Sequence, residues 1–278
     1  MEKNMNENFK NLNNRVVDSL NDTDLEKLNY LLSKIKAPTL VSGVGGSSIV
    51  ASFASKILLM KNRIITKCVE PRDLKYFKEF MNSYKNILAC SYSGANFGVE
   101  LAFDNNLRHY LLSSKENNEN GIISLNYVCK DPEKSFISLA ATLIPCAILL
   151  NYYLDNDYQR IIDSTKEYDY NFDVNCDAFE IFTGFETLSA SKYLESTMVE
   201  AGIGIPIIHD KYSYCHGRST LSKTYNNIAI YFNLGTDLDK LLLSELTKYI
   251  ASQKEKDLSG VDYNPIVKKL YRFNKGVW

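Results

Sequence analysis

The fold is decided by a glycine-rich stretch near the start of the chain, Val41-Ser42-Gly43-Val44-Gly45-Gly46-Ser47-Ser48. A short run of β-forming residues, 39–42, leads into it and a helical pattern over residues 47–60 follows, so the stretch joins a strand to a helix. Glycines at such a junction let the backbone come close to a ligand at the positive end of the helix. The stretch predicts an anion site that uses Gly45, Gly46, Ser47 and Ser48, and a tight turn without a ligand is the alternative.

Two well-known phosphate motifs do not fit this stretch. Ser48 stands where a dinucleotide-binding loop has its third glycine, and no Gly-Lys-Ser or Gly-Lys-Thr follows as in a Walker A loop. A second hydroxyl-rich loop, Cys90-Ser91-Tyr92-Ser93-Gly94-Ala95-Asn96, comes after another predicted strand. Loops at the carboxyl ends of parallel strands define a ligand crevice. Because neither loop contains Lys or Arg, the predicted ligand is a modest anion with hydroxyls, such as a sugar monophosphate.

Outward from the two loops, short β-rich runs alternate with helical periods. Predicted strands cover residues 39–42, 63–69, 87–91, 109–112 and 122–127, and predicted helices cover 47–60, 71–81, 96–106 and a segment from about residue 135. The second half repeats the alternation in a weaker form, with strands at 178–183, 205–208 and 228–233 and helices at 187–201 and 237–251. This order indicates two flavodoxin-like, three-layer α/β/α halves with mostly parallel sheets.

The predicted domain organisation has three parts. Residues 1–24 form a polar helical segment, residues 25–165 the first α/β subdomain, and residues 166–278 a second, divergent one. A capping box, Thr23-Asp24-Leu25-Glu26, predicts a helix that runs to about Lys36.

The composition excludes several classes of protein. The 278 residues include 32 Lys plus Arg and 33 Asp plus Glu, a net charge of -1, which argues against electrostatic binding to nucleic acid or to an anionic membrane. Six cysteines occur without a CxxC pair or the spacing of a zinc site, and the first residues are polar rather than apolar. We therefore expect reduced thiols, no metal and a cytoplasmic protein.

The apolar segment 136–154 is nearly long enough to span a bilayer. It contains Pro145 near its middle and Asn151 near its end, and neither flank carries a cluster of positive charge. These features favour a helix that is buried in a protein core or a dimer.

The two loops together resemble those of the SIS (sugar isomerase) family, which read G-x-G-x-S and S-x-S-G-x-T. The resemblance covers roughly residues 25–233. It implies an SIS-type fold and a phosphosugar ligand, with the phosphate or sugar hydroxyls bound by Gly45, Gly46, Ser47, Ser48, Ser91, Tyr92, Ser93 and Asn96. The chain departs from the family at Asn96, where threonine is usual, and at Ala95, which is often glutamate.

The second half resembles the paired catalytic motifs of double-SIS enzymes, an A-x-K-x-x-E helix followed by an H-G-P loop. The matching residues are 190–195 and 216–218, so the resemblance implies that Glu195 is the general base and His216 the ring-opening histidine. They are 21 residues apart (216 minus 195), and Arg218 replaces the proline. A solvated position on a helix face is the alternative for Glu195. Further candidates are Glu200 as a substitute base, and His209, Lys211 and Arg218 as residues that line the site.

The resemblance implies one of two functions. In the first, the protein is an enzyme that opens a sugar phosphate ring and moves a proton through an enediol, without metal or other cofactor, and isomerisation, deamination and deglycation all begin with these steps. In the second, it is a phosphosugar sensor that keeps the binding loops without catalysis. The resemblance also implies a homodimer or higher homo-oligomer with a site shared between subunits. From the balanced charge we expect no nucleic-acid or membrane partner.

Overall fold

A five-stranded parallel sheet organises the first half of the chain in the computed structural model. The structure describes residues 11–76, 78–117, 119–133, 139–164, 176–210, 213–214, 218–220, 226–232, 234 and 236–254. The chain divides into two compact units, Met1–Tyr170 and Asn171–Trp278. The predicted boundary between residues 165 and 166 falls outside the described residues and stays a prediction.

The first unit alternates strands and helices as the sequence predicts. Its elements are α1 Leu12–Asp22, α2 Leu25–Ser33, β1 Thr39–Ser42, α3 Gly46–Ile57, a π-helical turn Leu58–Asn62, β2 Thr66–Val69, a 3-10 turn Pro71–Tyr76, α4 Lys78–Met81, β3 Asn86–Cys90, α5 Phe97–Phe103, β4 Arg108–Ser113, β5 Ile122–Asn126, α6 Ala140–Tyr153 and α7 Tyr158–Ser164.

The strand order of this sheet is β2-β1-β3-β4-β5, and every neighbouring pair is parallel. This is the flavodoxin-like order, so the predicted fold class is confirmed for the first unit. The chain runs outward from β1 in both directions, and the point where it reverses lies between β1 and β3. Ser42 at the end of β1 pairs with Ala89, next to the end of β3, so both hydroxyl-rich loops leave the sheet at this reversal.

Two cores cover the two faces of the sheet. All residues of β1 and β3 are buried, as expected for central strands with helices on both sides. Successive residues alternate between the cores, so Val41 and Leu88 lie in one and Leu40 and Ile87 in the other. The first core contains residues of α1, α2, α3 and α6, and the second contains residues of α5. The predicted three-layer arrangement is therefore present.

Helix α6 is the apolar segment that the sequence predicts to be buried. Ile144, Ile148 and Leu149 have no exposed surface, and the helix contacts α1 and α3. Pro145 lies inside it. Among the described residues, no helix is long and apolar enough to cross a membrane. Residues 134–138, where the predicted helix begins, lie outside the description.

Two predicted helices differ from those in the structure, and polar side chains end one of them. The predicted helix 96–106 is α5, where Asn96 is the N-cap and accepts a hydrogen bond from the Val99 amide. At its other end, the Asn105 side chain donates to the Ala102 carbonyl and accepts from the Leu107 amide. The predicted helix 71–81 is divided into the 3-10 turn and α4.

The N-cap of α2 differs from the one that the capping box predicts. Asp24, not Thr23, is the N-cap, and its carboxylate accepts from the Lys27 amide at 3.0 Å. The Thr23 hydroxyl instead donates to the Ser19 carbonyl and accepts from the Val128 amide. Thr23 is thus used to bind α1 to the segment after β5.

Helix α1 holds that segment through a buried ion pair as well. Arg15 donates to the Glu133 carboxylate and to the Asp131 carbonyl, both at 3.0 Å. Glu133 also accepts from the Ala140 amide at the start of α6. Removing one partner of a buried pair leaves the other charge uncompensated, which costs about 3–5 kcal/mol.

The π-helical turn after α3 places one side chain at the junction of three helices. The Asn62 amide donates to the Leu32 and Ile35 carbonyls at 3.0 and 2.8 Å, which satisfies the C-terminal end of α2. Its oxygen accepts from the Tyr152 hydroxyl of α6. The sequence predicts a regular helix to residue 60 and gives no sign of this widened turn.

The second unit repeats the centre of the first. Its elements are β6 Ala178–Thr183, α8 Leu188–Ala201, β7 Ile205–Asp210, a 3-10 turn Arg218–Thr220, β8 Asn227–Tyr231 and α9 Asp237–Lys254. The order β7-β6-β8 is parallel throughout and matches β2-β1-β3. Helix α8 covers one face of this sheet, where Phe179, Ile181 and Met198 form a core.

Candidate functional site

The glycine loop after β1 is a tight turn that requires glycine at two positions. A Cβ on Gly43 would lie 2.3 Å from the Ser47 carbonyl oxygen, closer than any side chain tolerates. Gly45, the N-cap of α3, has a φ of +58°, a value that residues with side chains rarely adopt. The backbone between the end of β1 and the start of α3 is therefore a tightly packed turn, as the sequence predicts.

Hydrogen bonds within this turn distinguish its two serines. The amides of Ser47 and Ser48 donate to the carbonyls of Val44 and Gly45 at 3.1 and 2.9 Å, and the Ser48 hydroxyl also donates to Gly45, at 2.7 Å. The half-buried Ser47 hydroxyl has no hydrogen-bond partner among the residues that the structure describes. Ser47 is therefore the hydroxyl that this loop offers to a ligand.

The loop after β3 is organised around the buried hydroxyl of Ser91. Its oxygen accepts from the Gly94 amide at 3.2 Å and from the Asn96 side chain at 3.1 Å. Since both of these bonds use the oxygen as acceptor, the Ser91 hydroxyl can still donate its hydrogen to an acceptor such as a phosphate oxygen. Asn96 also caps α5. The asparagine that stands in place of the family's threonine therefore bonds both to Ser91 in the loop and to the first turn of the helix. Ser93 is exposed beside it.

A glycine that the sequence analysis did not single out brings the two loops together. Gly98 lies in α5, and a Cβ there would be 2.8 Å from the Val44 side chain and 3.1 Å from the Asn96 side chain. The first turn of α5 thus packs directly on the glycine loop. The available signal was a glycine within a helical pattern, which often marks a close approach of two segments.

Tyr92 is bonded to the next loop along the sheet, and its predicted role in ligand binding stays a prediction. Burial, followed by the proximity of Cys129, raises the pKa of the Tyr92 hydroxyl. Its carbonyl accepts from both the amide and the hydroxyl of Ser114. Burial, followed by the Glu133 charge, raises the pKa of Cys129 to about 11, so this thiol is protonated at neutral pH. Tyr92 therefore connects the loop after β3 to the loop after β4.

The two candidate bases of α8 have different surroundings. Glu195 is half-buried, and within the described part of the chain its carboxylate has no hydrogen-bond or ion-pair partner. Glu200 accepts from the Ser196 hydroxyl of the same helix at 3.2 Å. Leu194, next to Glu195, packs against the core of the second unit. Glu195 is thus the carboxylate that α8 leaves available for proton transfer.

His209 lies inside β7 rather than after the strand, and it is fully buried. Its Nε2 atom is 3.6 Å from the Glu180 carboxylate, and neither ring nitrogen has a hydrogen-bond partner among the described atoms. Burial, followed by the charge of Arg218, lowers the pKa of His209 to about 4, so the ring is neutral at neutral pH. This environment is that of a core histidine, and the place of His209 in the site stays a prediction.

The remaining candidates are only partly described. His216 and Lys211 lie outside the described residues, so their predicted roles stay predictions. Arg218 is exposed, and its guanidinium donates to the Ile208 carbonyl at 3.1 Å. Among the described side chains, no group of three or more His, Cys, Asp or Glu could hold a metal ion.

The fold and the loops at its sheet reversal define a class of parallel α/β proteins with a ligand crevice between β1 and β3. Solved structures of phosphosugar proteins share the fold. The tagatose-6-phosphate ketose/aldose isomerase of Escherichia coli aligns with a TM-score of 0.66 and 14% identity over 96% of this chain and 89% of that chain. The glucosamine-6-phosphate deaminase of Thermotoga maritima aligns with a TM-score of 0.65 and 18% identity over 95% and 91%.

A third solved structure aligns with this chain over its full length. The C-terminal domain of glucosamine-fructose-6-phosphate aminotransferase from Francisella tularensis aligns over 100% of this chain and 94% of that chain, with a TM-score of 0.57 and 13% identity. These three solved structures confirm the predicted resemblance to the SIS family at the level of the fold. No protein-family model matches the sequence, and no curated protein matches it.

Proposed function

We propose that this protein is an enzyme that opens the ring of a phosphorylated sugar and transfers a proton through an enediol. The observation that carries the proposal is the pair of hydroxyls at the carboxyl ends of β1 and β3. Ser47 has no hydrogen-bond partner among the described residues, and the Ser91 oxygen already accepts two hydrogen bonds, so both can donate to an anion.

The first unit supplies the groups that bind the phosphate. Ser47, Ser91 and Ser93 donate hydroxyl hydrogen bonds, and the start of α3 at Gly45 and Gly46 adds the positive end of a helix. The described residues of the two loops carry no Lys or Arg. Binding therefore depends on aligned hydrogen bonds to the phosphate rather than on charge pairing.

Glu195 and His216 supply the proton transfers. His216 moves a proton to and from the ring oxygen, which opens the ring, and Glu195 takes the proton from the carbon next to the carbonyl and returns it to the adjacent carbon. A half-buried carboxylate without a competing partner suits this role, and Glu195 meets the condition whereas Glu200 is bonded to Ser196. No step of this proposed reaction requires a metal ion.

Isomerisation, deamination and deglycation share these first steps and differ in the later ones. The solved structures with this fold include an isomerase and a deaminase. We favour aldose-ketose isomerisation because it needs no catalytic group beyond those that open the ring and transfer the proton. The alternative is a non-catalytic phosphosugar sensor. It is favoured by the binding loops of the first unit, which are complete without Glu195, and by the replacement of the family's usual residues at Ala95 and Arg218.

We also propose a cytoplasmic homodimer or higher homo-oligomer in which subunits share sites. Sedimentation at micromolar concentration tests the assembly, because a monomer would contradict a shared site.

Proton NMR in heavy water tests the chemistry. The protein is incubated with hexose, pentose, amino-sugar and fructosamine phosphates, and the proton on the carbon next to the carbonyl is followed. The proposal predicts deuterium incorporation in at least one compound, and its absence in Glu195→Gln. Line broadening without exchange would establish the sensor instead, and neither binding nor exchange would contradict both functions.

A further inference from the structure

The turn that leads into β5 contains the single Asn-Gly pair of the sequence, Asn120-Gly121, and both residues are exposed. We propose that Asn120 is a site of spontaneous modification. The backbone nitrogen of Gly121 attacks the Asn120 side chain, and the residue becomes an aspartate or an isoaspartate. This reaction needs no enzyme and is separate from the sugar-phosphate chemistry.

The reaction has one nucleophile and one leaving group. The Gly121 nitrogen bonds to the side-chain carbonyl carbon of Asn120, and the bond from that carbon to Nδ2 breaks. The proton of the Gly121 amide leaves with Nδ2 as ammonia, and a five-membered succinimide ring remains. Water then opens the ring at either carbonyl, which gives aspartate or isoaspartate. Nothing is oxidised or reduced, and water is the co-reactant.

The turn leaves the attacking nitrogen accessible. The Ile122 amide donates to the Glu119 carbonyl at 3.3 Å, which closes a four-residue turn with Gly121 in its third position. Gly121 has a φ of +91°, and a Cβ there would meet no atom beyond its chain neighbours within 4 Å. Among the described residues, the Gly121 nitrogen has no hydrogen-bond partner.

The Asn120 side chain is equally free, in contrast to that of Asn117 in the same loop. The Asn117 oxygen accepts from the Glu119 amide at 2.8 Å, whereas the Asn120 carboxamide has no partner within the described part of the chain. Asn117 must lose this bond before it can react, which alone slows it by up to about tenfold. It also precedes an asparagine, so a Cβ stands beside its attacking nitrogen.

The modified turn lies away from the loops proposed to bind phosphate. Gly121 directly precedes β5, at the amino ends of the parallel strands, whereas Ser47 and Ser91 follow the carboxyl ends of β1 and β3. Isoaspartate adds one carbon to the main chain just before Ile122, which pairs with His109 of β4. The change therefore falls on the start of β5, and phosphate binding should be unaffected.

Peptide mapping of the full chain after incubation at neutral and mildly alkaline pH tests the proposal. Trypsin cleaves after Lys115 and Lys130 and so releases Asn117 and Asn120 in one peptide. We expect conversion of amide to acid at Asn120, in aspartyl and isoaspartyl forms, at a rate at least about tenfold above that at Asn117. The rate should rise with pH, because the attacking nitrogen must lose its proton. In water enriched in a heavy oxygen isotope, the product should carry a single heavy oxygen.

Two matched variants separate this chemistry from general loss of amides. Asn120→Gln lengthens the side chain, so that ring closure would need a six-membered ring, and it should stop most of the conversion. Asn117→Gln changes the same peptide in the same way and should leave conversion at Asn120 at the wild-type rate. Equal conversion at residue 120 in wild type and Asn120→Gln would contradict the succinimide route.

Comparison with the unfolded chain tests the contribution of the structure. Because no described group bonds the Gly121 nitrogen, Asn120 should convert at similar rates in the folded protein and in urea. Conversion in urea alone would overturn the proposal, since the fold would then protect the site. Faster conversion at Asn117 than at Asn120 would overturn it as well. Neither result depends on activity toward sugar phosphates.

Discussion

The first strands of the two units, β1 and β6, occupy equivalent positions, since each lies between two parallel neighbours at the centre of a matching order. Each is followed by a glycine, Gly43 or Gly184. A Cβ on Gly43 would overlap the backbone of α3, whereas a Cβ on Gly184 would meet its nearest neighbour at 3.5 Å, an ordinary contact.

The hydroxyl groups that follow the two strands also differ, because those after β6 are bonded within their own loop. After β6, the Thr183 and Thr187 hydroxyls lie 2.9 Å apart, and Thr187 also accepts from the Gly184 amide at 3.1 Å. After β1, the Ser47 hydroxyl is left without a partner among the described residues. The comparison indicates that the anion site proposed after β1 has no counterpart after β6, because an anion needs hydroxyls that are not already bonded within their own loop.

The largest effect should come from the second unit, through Glu195→Gln. Loss of a general base typically costs about 10²- to 10⁴-fold in rate, so deuterium exchange should be lost while sugar-phosphate binding remains. Glu200→Gln on the same helix is the control and should exchange at nearly the wild-type rate. Equal losses in both variants would contradict the assignment of Glu195 as base.

The glycines test the comparison directly. Gly43→Ala should destabilise the protein by about 1–3 kcal/mol, as expected for overpacking, and should abolish phosphate binding. Gly184→Ala should unfold at the wild-type denaturant concentration and bind normally. Chemical denaturation and calorimetry with inorganic phosphate measure both. A phosphate site that survives Gly43→Ala would mean that the close turn is not needed.

His209 makes the second unit sensitive to acid. Above pH 6.5 the ring is neutral in both the folded and the unfolded chain, so it contributes no pH dependence. Below that, the unfolded chain binds a proton that the folded chain, with a pKa of about 4, does not. The free energy of unfolding should therefore fall by up to about 3 kcal/mol between roughly pH 6.5 and 4.

Denaturation at several pH values checks this dependence. His209→Gln should remove most of the slope. His109→Gln is the control, because His109 is only partly buried, although burial lowers its pKa too. Identical slopes for wild type and His209→Gln would show that other groups cause the acid sensitivity.

The smallest effect separates the two serines of the glycine loop. A hydrogen bond to a charged group contributes roughly 1.5–3 kcal/mol, so Ser47→Ala should weaken phosphate binding at least about tenfold. Ser48→Ala should have a smaller effect, because its hydroxyl donates to Gly45. The reverse ranking in a calorimetric titration would place the ligand on the other serine.

Features that depend on local sequence could be predicted. Strands β1 and β6 have the predicted bounds, because each is a short β-rich run followed by glycine. The two loops and their junctions with helices are predictable from the same local patterns. The N-cap of α2 could not be predicted, because Thr23 and Asp24 are both residue types that cap helices well. The Val128 amide, distant in the sequence, donates to the Thr23 hydroxyl, and Asp24 becomes the cap.

Features that depend on distant contacts could not be predicted. Gly98 is explained only by its approach to Val44, 54 residues earlier by subtraction (98 minus 44). Glu180 lies within an apolar strand pattern. Asn227, which donates to its carboxylate, and His209, 3.6 Å from it, come from two other strands. Local periodicity contains no information about such pairs, so these positions emerge only from the assembled sheet.

The π-helical turn has a consequence for changes in chain length. Leu59 and Met60 are exposed, 42% and 40%, so burial alone would class either as dispensable. A π-helical turn holds about one residue more than an α-helical turn over the same arc. Deleting Leu59 or Met60 should therefore let the turn relax into a regular helix while Asn62 still faces the Leu32 and Ile35 carbonyls, whereas the same deletion within α3 would rotate every later residue about the axis by about 100°. The turn thus gives this helix a place where the chain can lose one residue without a change of helical phase.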